Sequence, residues 1–280
     1  AAKIELTVKR INELFENTEI PIEIGLKLPS GKYEYIPLGF FTAEHPTLDQ
    51  ATTTFTAYDR MMKTTGVYVS ELTYPASAES VLKEISTGCD VPCNVSGLNG
   101  ITIDTAPVGY TYREVIGYIA SLAGGFACVD RTGTIVIKWY EDNDYTINES
   151  RIMTFEKNES DYHLDYLTCN VDSNTSFTAG SGTLGIIFDN PLMTEEKLNS
   201  VYKKVREFAY RGASLKTLGD IRLDPWDIVT VEELGETYKV PIMNITQEYD
   251  GGLAMAKQKL KQRQIIKDHL LSLQNEHMRK

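Results

Sequence analysis

Cysteine is scarce in this sequence of 280 residues and occurs at only four positions: Cys89, Cys93, Cys128 and Cys169. Small secreted domains with an insufficient core are held together by a dense set of disulfides. Four scattered cysteines do not form such a framework. We therefore expect the chain to be synthesised in a reducing cytoplasm.

The sequence also lacks an apolar run of about 20 residues, the length that a transmembrane helix requires. Its first five residues, AAKIE, contain neither a Met nor the charged and then apolar pattern of a signal peptide. They are typical of the interior of a longer protein. We therefore expect further native residues upstream.

No block of basic residues occurs, and 39 acidic against 28 basic side chains give a net charge of −11. Binding to nucleic acid phosphates or to an anionic membrane depends on clustered Lys and Arg. Proteins are therefore the expected partners. The hydrophobic fraction of 42% and the charged fraction of 24% are typical of a globular protein, so the whole chain should fold, with room for two domains.

The sequence does contain a series of short β-strand patterns. Residues 2–9 alternate between apolar and polar side chains, which predicts a strand with one face on a core. Further strand segments follow at 20–24, 33–41 and 52–58, and residues 29–32 (PSGK) are a turn signal. Several short strands separated by Pro, Gly and Asp predict a small antiparallel barrel or sandwich.

Helical patterns begin after Asp59. Ser77 is the predicted N-cap of a helix that ends at Gly88. Thr111 and Glu114 have the spacing of a capping box at the start of a second helix. Strands are predicted around these helices at 101–103 and 126–139, the latter turning at 130–133. Residues 66–140 therefore have the pattern of a compact α/β insertion.

Strand patterns return from about residue 145. Segments rich in β-branched and aromatic residues lie at 166–171, 185–188, 227–231 and 238–248. Thr194 followed by two glutamates predicts the N-terminus of a helix. Residues 258–276 lack Gly and Pro and predict a terminal helix, whose apolar stripe contains Ile265, Ile266, Leu270 and Leu273. Such a stripe requires a partner.

Three groups of segments resemble the baseplate hub family of tailed phages. The first comprises residues 34–41 (EYIPLGFF) and 57–63 (AYDRMMK), and the second is 72–75 (LTYP) before the first helix. The third comprises four segments: 185–188 (GIIF), 190–194 (NPLMT), 223–229 (LDPWDIV) and 249–253 (YDGGL). Their order and spacing carry the resemblance, which spans nearly the whole chain. The family includes the hubs of contractile-tailed phages and of tail-like bacteriocins, and the N-terminal part of siphophage tail-associated lysins.

The resemblance implies a mixed β fold in which two small antiparallel β-barrel domains are joined by α/β segments. It assigns residues 1–65 to the first barrel, 66–144 to an α/β insertion, 145–255 to a second barrel with a helix at 194–208, and 256–280 to a C-terminal helix. The opening strands that usually precede Ile4 in this family are missing, so the first barrel is expected to be incomplete here. The resemblance does not extend to the enzymatic domain into which the lysins continue, so no enzymatic extension is expected from it.

The residues provide no catalytic, cofactor-binding or metal-binding site. Asp59-Arg60 is expected to end a strand and to tie the first barrel to the insertion by a local ion pair. The spacing of Cys89 and Cys93 is metal-like, but the second ligand pair of a structural zinc site is missing. We therefore predict inert cysteines. The four histidines, His45, His163, His269 and His277, do not cluster.

Two further groups of residues have features of binding sites. Gly180-Ser181-Gly182 lacks the lysine and the spacing of a phosphate loop, and is interpreted as a flexible turn. Trp139, Tyr140 and Tyr145 suit either carbohydrate stacking or a protein interface, because tyrosine is enriched at interfaces.

The leading hypothesis is a structural, non-enzymatic hub protein of the virion or of a tail-like particle. By the resemblance, three copies form a ring that connects the tail tube protein to the central spike or tail-tip protein, next to other baseplate proteins. Two alternatives remain open: a tail-associated hydrolase of the cell wall, and a carbohydrate-binding receptor module. Whether the tail is contractile also remains open.

Overall fold

The computed structural model of the protein describes residues 2–13 and 15–249 and the strand Met255–Lys259. The chain forms two compact units. The first comprises Ala1–Ala123 and Ala127–Ile137, and the second comprises Gly124–Phe126 and Lys138–Lys280. Strands contain 46% of the described residues, so the mixed β character predicted from the sequence is confirmed.

The elements of the first half are, in chain order, β1 (Lys3–Lys9), β2 (Glu19–Lys27), β3 (Tyr33–Leu48), β4 (Thr52–Asp59), a 3-10 helix (Arg60–Thr65), β5 (Ala76–Ser77), α1 (Ala78–Cys89), β6 (Thr102–Ile103), α2 (Tyr112–Leu122), β7 (Phe126–Val129) and β8 (Ile135–Lys138). Those of the second half are β9 (Glu141–Ile147), a 3-10 helix (Glu149–Arg151), β10 (Ile152–Tyr162), β11 (Tyr166–Asn170), β12 (Ser176–Gly180), β13 (Gly185–Asp189), α3 (Glu195–Val205), β14 (Tyr210–Leu218), β15 (Asp227–Glu233), β16 (Glu236–Pro241), β17 (Ile245–Glu248) and β18 (Met255–Lys259).

The first unit begins with an antiparallel sheet in the order β1-β4-β3-β2. Alternation along the strands places Phe41, Ala43, Phe55 and Ala57 on one face, where they form a buried cluster. The opposite face carries polar pairs such as Thr7 with Thr54 in β1 and β4. The sheet is therefore amphipathic, and only one of its faces is apolar.

Two helices contribute many of the other buried side chains of the first unit. The Ser77 hydroxyl caps α1 by accepting a hydrogen bond from the N–H of Ser80, as the sequence predicts. Thr111 and Glu114 form both hydrogen bonds of a capping box at α2, which is also confirmed. Each helix buries an aliphatic stripe, in α1 Val81, Leu82 and Ile85 and in α2 Val115, Ile116 and Ile119.

The second unit contains three further sheets. One has the order β10-β14-β18-β17, and another the order β16-β15-β9, in which β9 runs parallel to β15. Ala213 and Leu215 of β14 pack with Val229 and Val231 of β15 in one buried cluster. The third sheet, β12-β11-β13, lies next to α3, which Thr194 caps as predicted.

The observed strand pairing can be compared with the predicted two-barrel architecture. Within the described residues, β1 and β2 are edge strands of an open ladder, so the two-barrel arrangement stays a prediction. The pairs β9 with β15 and β11 with β13 are parallel, which differs from the purely antiparallel barrel expected. Of the terminal helix predicted at 258–276, the first two residues belong to β18 and the remainder lies outside the described residues.

Candidate interaction surface

The hairpin of β2 and β3 extends beyond the first sheet. These two strands pair from Glu19 with Thr42 to Lys27 with Tyr33, whereas the pairing of β3 with β4 starts only at Phe41. The part of β3 before Phe41 is therefore paired with β2 alone. We name residues 22–38 the arm.

One face of the arm carries two exposed tyrosines. Tyr33 is 55% and Tyr35 62% exposed, and their ring centroids are 6.2 Å apart at an interplanar angle of 27°. Gly25 lies opposite Tyr35, and a Cβ atom there would be 3.1 Å from the ring of Tyr35 and 3.4 Å from that of Tyr33. The glycine therefore lets both rings lie close to the backbone of β2, an arrangement in which aromatic side chains cover a strand glycine.

The opposite face of the arm is aliphatic. Ile24 and Ile36 lie directly opposite each other, and Leu26 next to them is 51% exposed. Ile22 and Leu38 continue this face to the sheet, where they pack against its buried cluster. The arm thus presents apolar side chains on both faces.

The apolar face of the first sheet is only partly covered by its own chain. Phe15, in the loop before β2, packs edge-on against Phe55 with the ring centroids 5.0 Å apart. Ile4, Leu6 and Val8 of β1 pack against the same cluster and remain half-buried. These three side chains lie at the β1 edge of the sheet, whereas the arm extends from its β2 edge, so the apolar face is incompletely covered at both edges.

A smaller apolar group lies elsewhere in the first unit. Val67, Val69 and Val108 are between 66% and 80% exposed. The N–H of Tyr68 donates to the carbonyl of Tyr110 at 2.8 Å, which fixes this short strand-like segment. Alternation buries Tyr68 and turns the valines on either side of it outward.

Arg60 joins the sheet to the rest of the first unit. Its Nη2 donates to Oε1 of Glu19 at 2.7 Å, its Nε donates to Oε2 at 3.0 Å, and its Nη1 donates to the carbonyl of Gly133 at 3.2 Å. The guanidinium also lies 4.1 Å from the ring centroid of Phe40. Hydrogen bonding to Arg60, opposed by partial burial and supported by Lys63, lowers the pKa of Glu19 to about 2.

Asp59 has a different set of partners. It is 5% exposed and accepts hydrogen bonds from the N–H groups of Ala2 at 2.6 Å and Met61 at 3.0 Å. Burial raises its pKa, while these hydrogen bonds counteract the rise. Arg60 contacts the insertion through the carbonyl of Gly133, but its ion pair is with Glu19 of β2, 41 residues away, and is not the local ion pair expected.

Trp139, Tyr140 and Tyr145 are engaged within the second unit. The ring of Tyr140 is buried and stacks on Phe208 at 5.0 Å, and Trp139 meets Phe208 edge-on at 5.4 Å. The hydroxyl of Tyr145 donates to Asp220 at 2.5 Å. These rings are therefore part of the unit's own packing.

Sequence reasoning missed the two tyrosines of the arm. The signal that identifies them is the alternation Tyr33-Glu34-Tyr35 directly after the predicted turn at 29–32.

The cysteines are all free thiols. Burial raises the pKa of Cys89 at the end of α1, and it raises the pKa of Cys169 in β11 to about 12. Cys93 and Cys128 are half-buried. Within the described residues, no group of three or more His, Cys, Asp or Glu side chains is placed to hold a metal ion.

The two described histidines are exposed and far apart in the sequence. His45 lies 3.4 Å from Glu16 and His163 lies 3.2 Å from Asp165. His269 and His277 lie outside the described residues.

The turn at Gly180-Ser181-Gly182 is tightly packed. Asp165 accepts hydrogen bonds from the N–H groups of Thr183 at 2.8 Å and Leu184 at 2.9 Å, which lower its pKa. A Cβ atom on Gly180 would lie 2.3 Å from the carbonyl oxygen of Asp165. The predicted turn is confirmed, but close packing replaces the flexibility expected for it.

The second unit contains an apolar cavity of about 20 Å³ next to α3. Its lining includes Trp139, Leu167, Val201 and Phe208. A cavity of this size holds at most one water molecule, so it does not provide a ligand site.

In the part of the chain that the structure describes, no helix is both long and apolar enough to span a bilayer.

The comparisons with known proteins identify relatives only at the level of structure. No family model matches the sequence, and no curated protein matches it. The 43 kDa tail protein of prophage MuSo2 from Shewanella oneidensis is 14% identical, with a TM-score of 0.56 over 91% of this chain and 88% of that chain. A tail protein from Neisseria meningitidis MC58 is 12% identical, with a TM-score of 0.63 over 94% of this chain and 88% of that chain. The chain therefore has the fold of these two tail proteins, which confirms the resemblance to phage tail proteins at the level of the fold.

Proposed function

We propose that the protein is a structural component of a phage tail or of a phage tail-like particle, and that it forms part of the baseplate hub. The observation that carries this proposal is the similarity of fold to two tail proteins, which extends over at least 91% of the chain. Fold similarity alone does not define a function, so the surface properties of the first unit have to support the assignment.

The exposed apolar side chains of the arm and the half-buried ones of β1 support a role in assembly. Leu26, Tyr33 and Tyr35 are each more than half exposed on a hairpin that leaves its sheet. Burying a large apolar side chain completely is worth about 1.5–3 kcal/mol relative to exposure. Exposed apolar groups of this kind mark protein interfaces, where tyrosine is enriched. In this proposal the arm and the half-buried face of β1 contact neighbouring tail proteins.

The finer arrangement follows from the sequence resemblance. Three copies form a ring between the tail tube and the spike or tail tip, and each copy contributes two barrel domains, at 1–65 and 145–255, with the α/β insertion 66–144 between them. A closed ring requires two different, complementary surfaces on each copy. The proposed role in the virion is structural and not catalytic.

The experiment that tests the assembly role is a triple substitution in the arm, Leu26→Ser with Tyr33→Ser and Tyr35→Ser. Because these side chains are exposed, the isolated variant should melt at nearly the wild-type temperature. Its incorporation into particles, measured by quantitative immunoblotting of purified tails, should be lost.

A matched control carries Ile187→Ser and Leu234→Ser in the second unit, where the two side chains are 49% and 83% exposed. This variant removes exposed apolar area without affecting the arm, and it should be incorporated normally. Normal incorporation of the arm variant, with unchanged particle yield, would contradict the proposal.

A further inference from the structure

The connection between α1 and β6 contains an exposed turn with the sequence Leu98-Asn99-Gly100-Ile101. The N–H of Ile101 donates to the carbonyl of Leu98 at 3.1 Å, so Asn99 and Gly100 occupy the two central positions. Both residues are exposed. Gly100 has a φ of 79°, and a Cβ atom added to it would meet no atom within 4 Å. The turn therefore has free space around the peptide bond that joins the two residues.

Neither reacting group of this dipeptide is restrained. Within the described part of the chain, the carboxamide of Asn99 and the N–H of Gly100 take part in no hydrogen bond. Two other asparagines differ in this respect. In α3, Nδ2 of Asn199 donates to the carbonyl of Glu195 at 2.9 Å, and in β9 the side-chain oxygen of Asn143 accepts from the N–H of Tyr145 at 3.0 Å.

We propose that Asn99-Gly100 is a site of spontaneous deamidation. The backbone nitrogen of Gly100 loses its proton to hydroxide and attacks Cγ of Asn99, forming a new N–C bond. The bond between Cγ and Nδ2 breaks and ammonia leaves, which produces a five-membered imide. Water then opens the imide at one of its two carbonyls, giving aspartate or isoaspartate. Water is the only co-reactant consumed, and no oxidant or reductant is needed.

Glycine at the second position favours this reaction for a physical reason. It has no Cβ to obstruct the attack, and its backbone reaches conformations that other residues avoid. Asn199 is followed by Ser200 within a helix, where the backbone is fixed and the carboxamide is occupied. The two sites therefore form an internal comparison within one protein.

The product changes the turn in two ways. Both products add a negative charge to a chain that already carries −11. Isoaspartate also adds one carbon atom to the main chain at position 99, two residues before Ile101, whose carbonyl accepts a hydrogen bond from the N–H of Ala78 at 2.9 Å. Ser77 pairs with Thr102 at the adjacent position, so the modification lies beside the start of α1.

The test is incubation of the full chain at neutral and at mildly alkaline pH, followed by peptide mass spectrometry and an isoaspartate-specific methyltransferase assay. The peptide with Asn99 should convert well before the peptide with Asn199, and faster at alkaline pH because the attacking nitrogen must be deprotonated. Methyltransferase labelling of the peptide that contains residue 99 should appear in the wild type and be lost in Asn99→Gln. Equal conversion of the two peptides, labelling of the residue-99 peptide that persists in Asn99→Gln, or a rate that is independent of pH would each overturn the proposal.

Discussion

Arg60 and Glu19 show how one pair of side chains holds two parts of the first unit together. Their two hydrogen bonds form a bidentate pair whose side chains are only 17% and 26% exposed. Such pairs combine charge with fixed geometry. Lys63 approaches the same carboxylate at 3.0 Å and strengthens the site.

Replacing Glu19 by Gln should destabilise the protein in a pH-dependent manner. The pKa of Glu19 in the folded state is about 2, below its ordinary value of 4.5, so its contribution is complete above the unfolded pKa and disappears as the pH falls through 4.5 to about 2. At neutral pH the variant should lose about 2 kcal/mol in the free energy of unfolding, the range for hydrogen bonds to charged groups. Urea unfolding at a series of pH values measures the difference.

The control for this experiment is Glu5→Gln. Glu5 also pairs with a lysine, Lys3, at 2.6 Å, but both side chains are exposed on β1. Exposed pairs of this kind contribute little to stability. If the two variants lost the same free energy of unfolding at every pH, the role assigned to the pair of Arg60 and Glu19 would be wrong.

The backbone conformation of Leu234 leads to a second prediction about stability. It lies with Gly235 at the tip of the β15–β16 hairpin, where their φ angles are 52° and 79°, and its side chain is 83% exposed. Two-residue turns with two positive φ angles favour Asn-Gly. Leu234→Asn should therefore raise the free energy of unfolding by about 0.5–1 kcal/mol. A lower melting temperature, measured by calorimetry, would contradict this assignment of strain.

The role of a residue could be predicted from the sequence when its partners lie nearby along the chain. Ser77 and Thr111 were predicted as helix caps because a cap bonds to backbone only three residues away. The partner of Arg60 was not predictable, because its distance along the chain is set by the register of β2 against β3. Side-chain type indicates a preference for a partner, and the fold decides which partner is near.

At the scale of elements, helices were located more reliably than strands. β10 was missed because most of its side chains are polar and exposed along its sequence IMTFEKNESDY. β14 was missed because it contains small residues, although Ala213, Leu215 and Thr217 alternate toward the interior. Both strands are stabilised by pairing with each other, which a pattern within one segment does not reveal.

The arm was also predicted only in part from the sequence. Its two strands and its turn were predicted from the sequence, and the register confirms that they pair. Its extension beyond the sheet results from the position at which β4 begins to pair, at Phe41 with Asp59. The candidate interaction surface therefore could not be identified from the predicted strands, because it depends on where β3 begins to pair with β4.

The C-terminal segment gives a prediction at this scale. Deletion of residues 260–280 keeps β18 intact, including the pairing of Lys259 with Ser214. We expect the melting temperature of the isolated protein to stay nearly constant and incorporation into tails to be lost, because the predicted apolar stripe would dock on a neighbouring tail protein. A large drop in melting temperature would assign Ile266, Leu270 and Leu273 to the protein's own core.

At the scale of the whole molecule, the fold and the function rest on different observations. The likeness to two tail proteins establishes the fold at identities of 12% and 14%. The order of short motifs along the sequence indicated the same group of proteins, because order and spacing can persist when individual residues do not. Ring formation depends on surfaces contributed by several copies, and these surfaces are not encoded in any local pattern.

The most direct test of the central claim is electron microscopy of tails that contain the protein, compared with tails from a strain in which its gene is deleted. The account predicts a ring with threefold symmetry between the tube and the spike or tail tip, present in the first sample and missing from the second. The protein's two units should fit into the density of each ring subunit. Intact tails in the deletion strain, or purified tails without density for this chain, would contradict the account.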